Sequence, residues 1–560
     1  TELVVENGSV RHATDKTRSV TYGALTEGRK IERRLEGQPQ VEPVKAYSIV
    51  GKTPTRRDGL DKVTGKAKFA GDIPIEGVLH ARIVRPPTHG ATFVSADTSA
   101  AEAVPGVQVF RDGELIAVLH PHWDEADRAL RLVKAQFSPS PSTLDDTNIY
   151  AHLEKAAPPG QTVAEGGSLA EGEKLAATIV EQTYLNAYVA HAPMEPHSAT
   201  AQVEDGRVTV WASTQTPFSL KSQVAGALKI APDKVRIITP FVGGGFGGKT
   251  AGRQAVEAAR LAMLTRKPVR VVWDRAEEFF YDTFRPAAVL KVRSGVDATG
   301  RIVLWDYLVI GAGERGAEHF YNIPHHRTVA RGGWNANTPG LHPFAIGAWR
   351  APAANSNAFA REQQIDIMAA KAGIDPVEFR LKNLTDPQMR RCVTEAAQKF
   401  GWTPKPGPSG RGWGVACGID ANTMVCAMAE VKVDKATGAI EVVRIVSAQD
   451  MGVVVNPEGA LQQMEGCVTM GLGYALSEEV HFKNGEVLDK NFGTYELPRF
   501  SWVPKIENVI IPSDKPSQGG GEPAIVQIGA VIANAVFDAV GARVLTMPMT
   551  PERVKAALAV

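Results

Sequence analysis

The sequence predicts a mixed α+β protein, a small α+β domain followed by two larger parts in which strands and helices alternate. Three observations carry this. Composition is that of an ordinary globular chain, 44% hydrophobic and 22% charged. From Ala176 onward, short β-branched runs alternate with helix-length stretches. Two glycine-rich turns, at 243–248 and 519–521, each lead into an apolar helical stretch. At 560 residues there is room for three or four domains.

Taken in order, Leu3 to Val10 reads as a hairpin with Asn7-Gly8 at its turn, and a charged, proline-bearing link runs from Lys30 to Pro43. Residues 62–72 and 77–85 alternate like strands, and 97–104 and 126–133 suggest helices, giving the small α+β domain. Leu144 to Gly172 is polar, contains Pro and Gly, and reads as a linker. Strands are expected at 208–212, 235–238, 269–273 and 302–311. Arg361 to Ala372 is a helix with Ile365, Met368, Ala369 and Ala372 on one face and Gly373 as its stop. Asp375-Pro376-Val377-Glu378 opens the next helix with a cap and an N1 proline. Pro404 to Gly412 is a boundary, and beyond it 431–434 and 440–443 flank a turn as a hairpin.

Net charge is +1 with no long single-sign run, which points away from nucleic acid and membrane surfaces. Apolar runs read as shorter than the roughly 18 residues of a membrane span. The chain opens on Thr1 with neither methionine nor a signal-like segment, so a piece removed from its front is expected. Cys392, Cys417, Cys426 and Cys467 show no C-x-x-C spacing, so they are expected to be small buried hydrophobes, with no iron–sulfur cluster in this chain. His325-His326 and His191/His197 read as structural rather than as metal pairs.

The first glycine-rich turn, Pro240 to Thr250, holds five glycines in six positions between a strand and a helix. Such a turn can bring backbone N–H groups close to a ligand, and the following helix N-terminus adds donors; the natural guest is an anion or an oxo group. Gly243, Gly248, Lys249 and Thr250 also fit the G-x-x-x-x-G-K-[ST] phosphate loop, with Asp274 as a strand-borne acid, so a P-loop NTPase is an alternative. A packing turn without a ligand is another. Near the C-terminus, Gly519-Gly520-Gly521-Glu522-Pro523 precedes a nearly all-apolar helix, Ile525 to Val540. Pro523 suits N1, which places Glu522 at the cap, either as a buried, ionised general base or as a simple capping residue. In Gly347-Ala348-Trp349-Arg350-Ala351-Pro352, the arginine fork suits an oxo or phosphate ligand, or open solvent.

Together these stretches resemble the molybdenum-cofactor subunit of the molybdenum hydroxylases, the xanthine dehydrogenase/aldehyde oxidase family, of the isoquinoline 1-oxidoreductase β-subunit type. The likeness runs in family order through Lys62 to Lys66, Arg85-Pro86-Pro87, Ala192 to Pro196, Gly243 to Lys249, Ala348-Trp349-Arg350, Asn456 to Gly459, Gln463 to Gly466, Gly471 to Gly473 and Gly520 to Pro523. It implies a hammerhead-like small domain at 53–140, a linker at 141–172, and molybdopterin-binding domains at 173–402 and 403–560. It implies further that Gly244, Gly245, Phe246 and Gly247 form the cofactor turn, with the Phe246 and Gly247 N–H groups on a metal oxo group. Ala348, Trp349, Arg350, Gly520 and Gly521 would line the cofactor, Glu522 would be the catalytic base, and the pterin dithiolene rather than a protein side chain would hold the molybdenum.

The implied reaction inserts a water-derived oxygen into an electrophilic carbon of an N-heteroaromatic compound or an aldehyde. Electrons would leave through [2Fe–2S] clusters of a partner subunit, with a cytochrome c or flavin subunit as a further acceptor. The cofactor would be molybdenum–molybdopterin, the cytosine dinucleotide form being one option. A non-catalytic cofactor carrier is the remaining alternative. The chain departs from the family pattern at Thr250, where an acid is usual, at Pro352, where an aromatic is usual, and at Met470, where a glutamine often stands. A Gly-Gln-Gly cofactor loop is missing, so residues 1–52 read as the tail of a displaced N-terminal segment, and a further chain or cleaved piece is expected to carry that loop.

Overall fold

The structure, a computed structural model, describes residues 2–559 except 31, 35, 38–41, 336–337 and 404–408. Two units make up the chain, 1–48 and 49–560. In the first, strands Leu3–Glu6 and Ser9–His12 form the expected hairpin, with Asn7 and Gly8 both at positive φ, as an Asn-Gly turn requires. Ser19–Thr21 adds a third strand, and no residue of the three strands is buried. The Lys30–Pro43 link lies partly outside the described residues.

The second unit is built on three sheets. A seven-stranded sheet has the order Val235–Ile238, Arg207–Ala212, Ser198–Glu204, Val269–Val272, Leu79–Ile83, Leu115–His120, Gln108–Asp112. Val269–Val272 pairs in parallel with Leu79–Ile83, so this sheet runs across the boundary expected near residue 140. A six-stranded sheet is centred on Thr178–Asn186, Ala288–Val296 and Ile302–Ile310. The third sheet contains Arg411–Asp420, Thr423–Val433, Ile440–Asp450 and Lys505–Ile510. Val235, Val269 and the alanines of helix Arg253–Thr265 belong to one hydrophobic core; Trp349, Ala351 and Ala524 belong to another.

Three expectations need correction. Residues 62–72 are not a strand: they contribute to a short helix, Gly59–Val63, and a 3-10 turn, Ala70–Asp72. Asp58 and Lys62, one helical turn apart, hydrogen-bond at 2.7 Å, and glycines at 65 and 71 interrupt the alternation. The polar stretch 144–172 is structured rather than a linker. Helix Ile149–Ala156 buries Ile149 and Leu153, four apart, and Gln161–Gly166 pairs with His326–Arg331 as the sheet's edge strand. Finally, Pro523–Val540 is 18 residues long and apolar enough to cross a membrane, yet 89% of it is buried within this chain as a core element.

Local signals were otherwise followed. The Arg361–Ala372 helix extends back to Ala354 and ends at Gly373 with φ 65°. It is buried along most of its length rather than on one face, because Glu362 and Gln364 bond to groups on several neighbouring elements. The Asp375 side chain caps helix Pro376–Asn383 as expected. The four cysteines are buried and unpaired by disulfides.

Candidate active site

A cavity of about 520 Å³ brings the glycine turn together with the stretches that carry Arg350 and Glu522. Gln215, Phe246, Gly247 and Thr250 line one side; Arg315, Ala348, Arg350, Pro352, Gln463, Gly521 and Glu522 line the other. Residues more than 270 positions apart, Phe246 and Glu522, therefore face one space.

The glycine turn follows strand Val235–Ile238 and leads through a 3-10 turn, Gly248–Thr250, into helix Arg253–Thr265. Its glycines serve close packing. A Cβ on Gly247 would sit 1.8 Å from the Ala348 carbonyl oxygen, and φ there is 120°, so no other residue fits. Phe246 itself has φ 56°, and its N–H makes no hydrogen bond with the described residues. The Gly247 N–H donates to Gln215 Oε1 at 3.0 Å, a partner that the local sequence pattern does not announce. The Lys249 ammonium points away from the cavity, buried, and donates to the backbone oxygen and Oε2 of Glu195, each at 2.7 Å. Burial pulls Lys249 below the usual lysine range while Glu195 works against that shift. Asp274 caps helix Arg275–Tyr281 and pairs with Arg82 at 2.6 Å. The two groups a phosphate loop would need are thus consumed elsewhere, which sets the NTPase alternative aside.

Arg350 is buried and crosses between the walls. Its N–H donates to Phe246 O at 2.9 Å, and its side chain donates to Gly521 O at 2.6 Å and to Gln463 Oε1 at 2.9 Å. Ala351 and Ala353, immediately after it, adopt φ 59° and 61°. Strained non-glycine residues of this kind persist only where surrounding contacts over-determine them, and they cluster at functional sites.

Glu522 precedes the 3-10 turn Pro523–Ile525 but makes no capping hydrogen bond, so the simple capping role is not what its side chain performs. Its Oε2 accepts from Arg315 Nη2 at 3.0 Å, and its Oε1 accepts from the Ala351 N–H at 3.2 Å. The side chain keeps 40% exposure, so the expected burial is corrected: the helix start is buried, but the carboxylate opens on the cavity. Behind it, Arg315 forks onto Asp420 at 2.7 and 2.8 Å. Burial pushes the Asp420 carboxyl up, and the guanidinium partly offsets it. Burial opposes the charge on Arg315, but Asp420 and Glu522 outweigh it and hold the guanidinium above its ordinary value.

Of the expected site residues, Phe246, Gly247, Ala348, Arg350, Gly521 and Glu522 line the cavity together. Gly244, Gly245 and Gly520 shape the turns without lining it. Trp349 is turned into the core, donating to Ala190 O at 3.0 Å and packing against Tyr474. Gln215, Arg315, Asp420 and Gln463 were missed. Gln463 stood inside a motif and Gln215 in the polar run before Pro217; Arg315 and Asp420 carry no local signal.

Residues 153–384 match a molybdopterin cofactor-binding domain family, and residues 380–504 match a second one of the same description. A nicotinate dehydrogenase subunit of Pseudomonas putida is 29% identical over 99% of this chain and 50% of its own length. The beta subunit of isoquinoline 1-oxidoreductase from Brevundimonas diminuta is 28% identical over 90% of this chain and 68% of its own length. The chain belongs to the molybdopterin-binding large subunits of the xanthine dehydrogenase family. It spans about half the length of the nicotinate dehydrogenase relative. The fold of this molybdopterin-binding subunit is shared with quinoline 2-oxidoreductase from Pseudomonas putida 86, at TM-score 0.81 and 17% identity, covering 91% of this chain and 98% of that one. Aldehyde oxidoreductase from Desulfovibrio gigas follows at TM-score 0.80 and 18% identity, covering 91% of this chain and 81% of that one.

The cavity's chemistry fits a metal that arrives with its own organic ligand. No histidine, cysteine or aspartate lines it among the described residues, whereas backbone N–H groups and two arginines, Arg315 and Arg350, do. The close approach that only glycine permits at position 247 places those donors at the wall. The buried His197, Glu278 and Asp282, whose ligand atoms also come together, are occupied by hydrogen bonds with one another and with His191.

Proposed function

We propose that this chain is the molybdenum-cofactor subunit of a hydroxylating dehydrogenase. The Phe246 N–H and the Gln215 amide N–H would hold the cofactor's oxygens from one side, with Gln215 fixed by the Gly247 N–H, and Arg350 with Gly521 would hold it from the other. When bound there, the molybdopterin group supplies oxygen transfer from water and a two-electron sink. The chain's own part is positional and protonic. Glu522 presents a carboxylate to the cavity with one oxygen fixed by Arg315 and the other by the Ala351 N–H, so its remaining lone pairs can take a proton from a group in the cavity. Asp420 fixes Arg315 by two bonds, which limits how far the guanidinium can close on the base. The Phe246 ring and Pro352 offer apolar walls to a planar substrate.

The observation that carries this reading is that the donor-bearing turn and the Glu522 carboxylate face the same cavity. N-heteroaromatic compounds are favoured as substrates over aldehydes, supported by the two named relatives, a nicotinate dehydrogenase subunit and an isoquinoline oxidoreductase subunit. The electrons would leave through a [2Fe–2S] partner, since this chain's four cysteines are buried thiols whose sequence spacing fits no cluster. A further polypeptide or N-terminal piece would supply the Gly-Gln-Gly loop. Molybdenum and pterin analysis of the purified complex, with turnover on a panel of heterocycles and aldehydes, tests the proposal. Stoichiometric molybdenum with heterocycle oxidation is expected; nucleotide binding without molybdenum contradicts it.

A further inference from the structure

Directly beneath the glycine turn lies a group of buried ionisable side chains that the cavity chemistry does not use. His191 is central to it. Its Nδ1 stands 2.8 Å from Asp282 Oδ2, and its Nε2 stands 2.6 Å from the Ala348 carbonyl oxygen. A carbonyl only accepts, so Nε2 carries a proton. The Asp282 carboxyl also needs a proton between itself and Nδ1, while its other oxygen accepts from the Thr283 N–H at 2.7 Å. The pair therefore holds two protons, and losing either breaks one of the two bonds.

The surroundings favour placing both on the ring. Glu195, Glu278 and Asp282 face this volume, against Lys249 from the glycine turn and Arg275 from helix Arg275–Tyr281. His197 donates through Nδ1 to Glu278, and although burial opposes its charge, that carboxylate holds it above the usual histidine range as well. Three carboxylates against two fixed cations favour a protonated imidazole here, and His191 is the ring in direct contact with Asp282. Burial opposes that charge, but Asp282 outweighs it and raises His191 above the usual histidine range.

We infer that His191 is a positioning residue: fixed by Asp282, it pins the Ala348 carbonyl against Gly247 and so sets the separation between the glycine turn and Arg350. The link is short. Ala348 O sits where a Gly247 side chain would be, and two residues on the Arg350 N–H closes onto Phe246 O. This rests on the cavity being the cofactor site, but its first test does not.

Ring-nitrogen NMR of the full chain carrying isotope-labelled histidine, with His191 assigned by its loss in His191→Gln, should show both ring nitrogens protonated at neutral pH, where an ordinary histidine has lost one proton. A bare Nε2 at neutral pH, which could not hold the Ala348 carbonyl, overturns the inference whether or not molybdenum binds. The second test is a rescue. Asp282→Asn can donate its amide N–H to a neutral ring and keep both bonds, so it should retain the parent's molybdenum per chain while His191 becomes a singly protonated ring. Asp282→Ala and His191→Leu should lose molybdenum by about tenfold or more, the factor one ordinary buried hydrogen bond sets. A folded His191→Leu with the parent's molybdenum content, or an Asp282→Asn as depleted as Asp282→Ala, overturns it. Where His191→Leu fails to fold, the NMR signature and the Asp282 pair still decide.

Discussion

Replacing Lys249 by methionine separates a structural lysine from a phosphate-binding one. The Lys249 side chain is fully buried and makes two bonds of 2.7 Å to Glu195, whose side chain is 15% exposed. Methionine keeps most of the length and the packing and removes the charge. Taking one partner out of a buried ion pair costs about 3–5 kcal/mol. Glu195 would retain the Gly243 N–H at 2.7 Å and Ser198 Oγ at 3.2 Å, so it is not left bare. The lower end of the range, about 3 kcal/mol, is therefore expected. Guanidinium denaturation of the cofactor-free chain at fixed temperature measures it. Glu195→Gln added to Lys249→Met should recover at least about 1 kcal/mol, because the second change removes the stranded charge. A loss below about 1 kcal/mol, or a nucleotide affinity that vanishes with the lysine, would refute the reasoning.

Gly247→Ala should cost at least about 3 kcal/mol and abolish molybdenum retention, since its methyl would occupy the Ala348 oxygen position at an unfavourable φ; thermal denaturation and metal analysis check it. Asp420→Ala releases Arg315 onto Glu522 and should lower turnover about 10–100-fold with molybdenum unchanged, as read from steady-state rates across pH. Glu478 is buried against Tyr495, and burial pushes its carboxyl up to about 8 from an ordinary 4.5. Its folded value lies above its unfolded one, so its share of stability is full below the ordinary value and is lost as pH rises to about 8. Glu478→Gln should flatten that fall, on the order of 5 kcal/mol, in denaturation series across pH.

What the sequence made legible was local. Asn7-Gly8, Asp375-Pro376, Gly373 and the glycine turn each fix a backbone geometry through their own chemistry, and each appears where expected. Glu522 could be singled out because Pro523 fixes the helix start beside it. What could not be read depended on tertiary placement. Arg315 and Asp420, 105 residues apart, meet only because sheets from different parts of the chain close around the cavity. Trp349 shares a motif with Arg350, but successive residues point opposite ways, and its large ring is taken by the core. The 144–172 stretch is polar because an amphipathic helix and an edge strand are half solvated, which composition alone does not distinguish from a linker.

The most direct test is Glu522→Gln in the assembled complex, with metal content and turnover measured on the same preparation. Glutamine preserves the length and the acceptor for Arg315 but cannot take up a proton as a carboxylate does. Molybdenum equal to that of the parent, with turnover reduced by several orders of magnitude, is the predicted outcome. Turnover close to the parent's with the metal in place would show that this carboxylate is not the base.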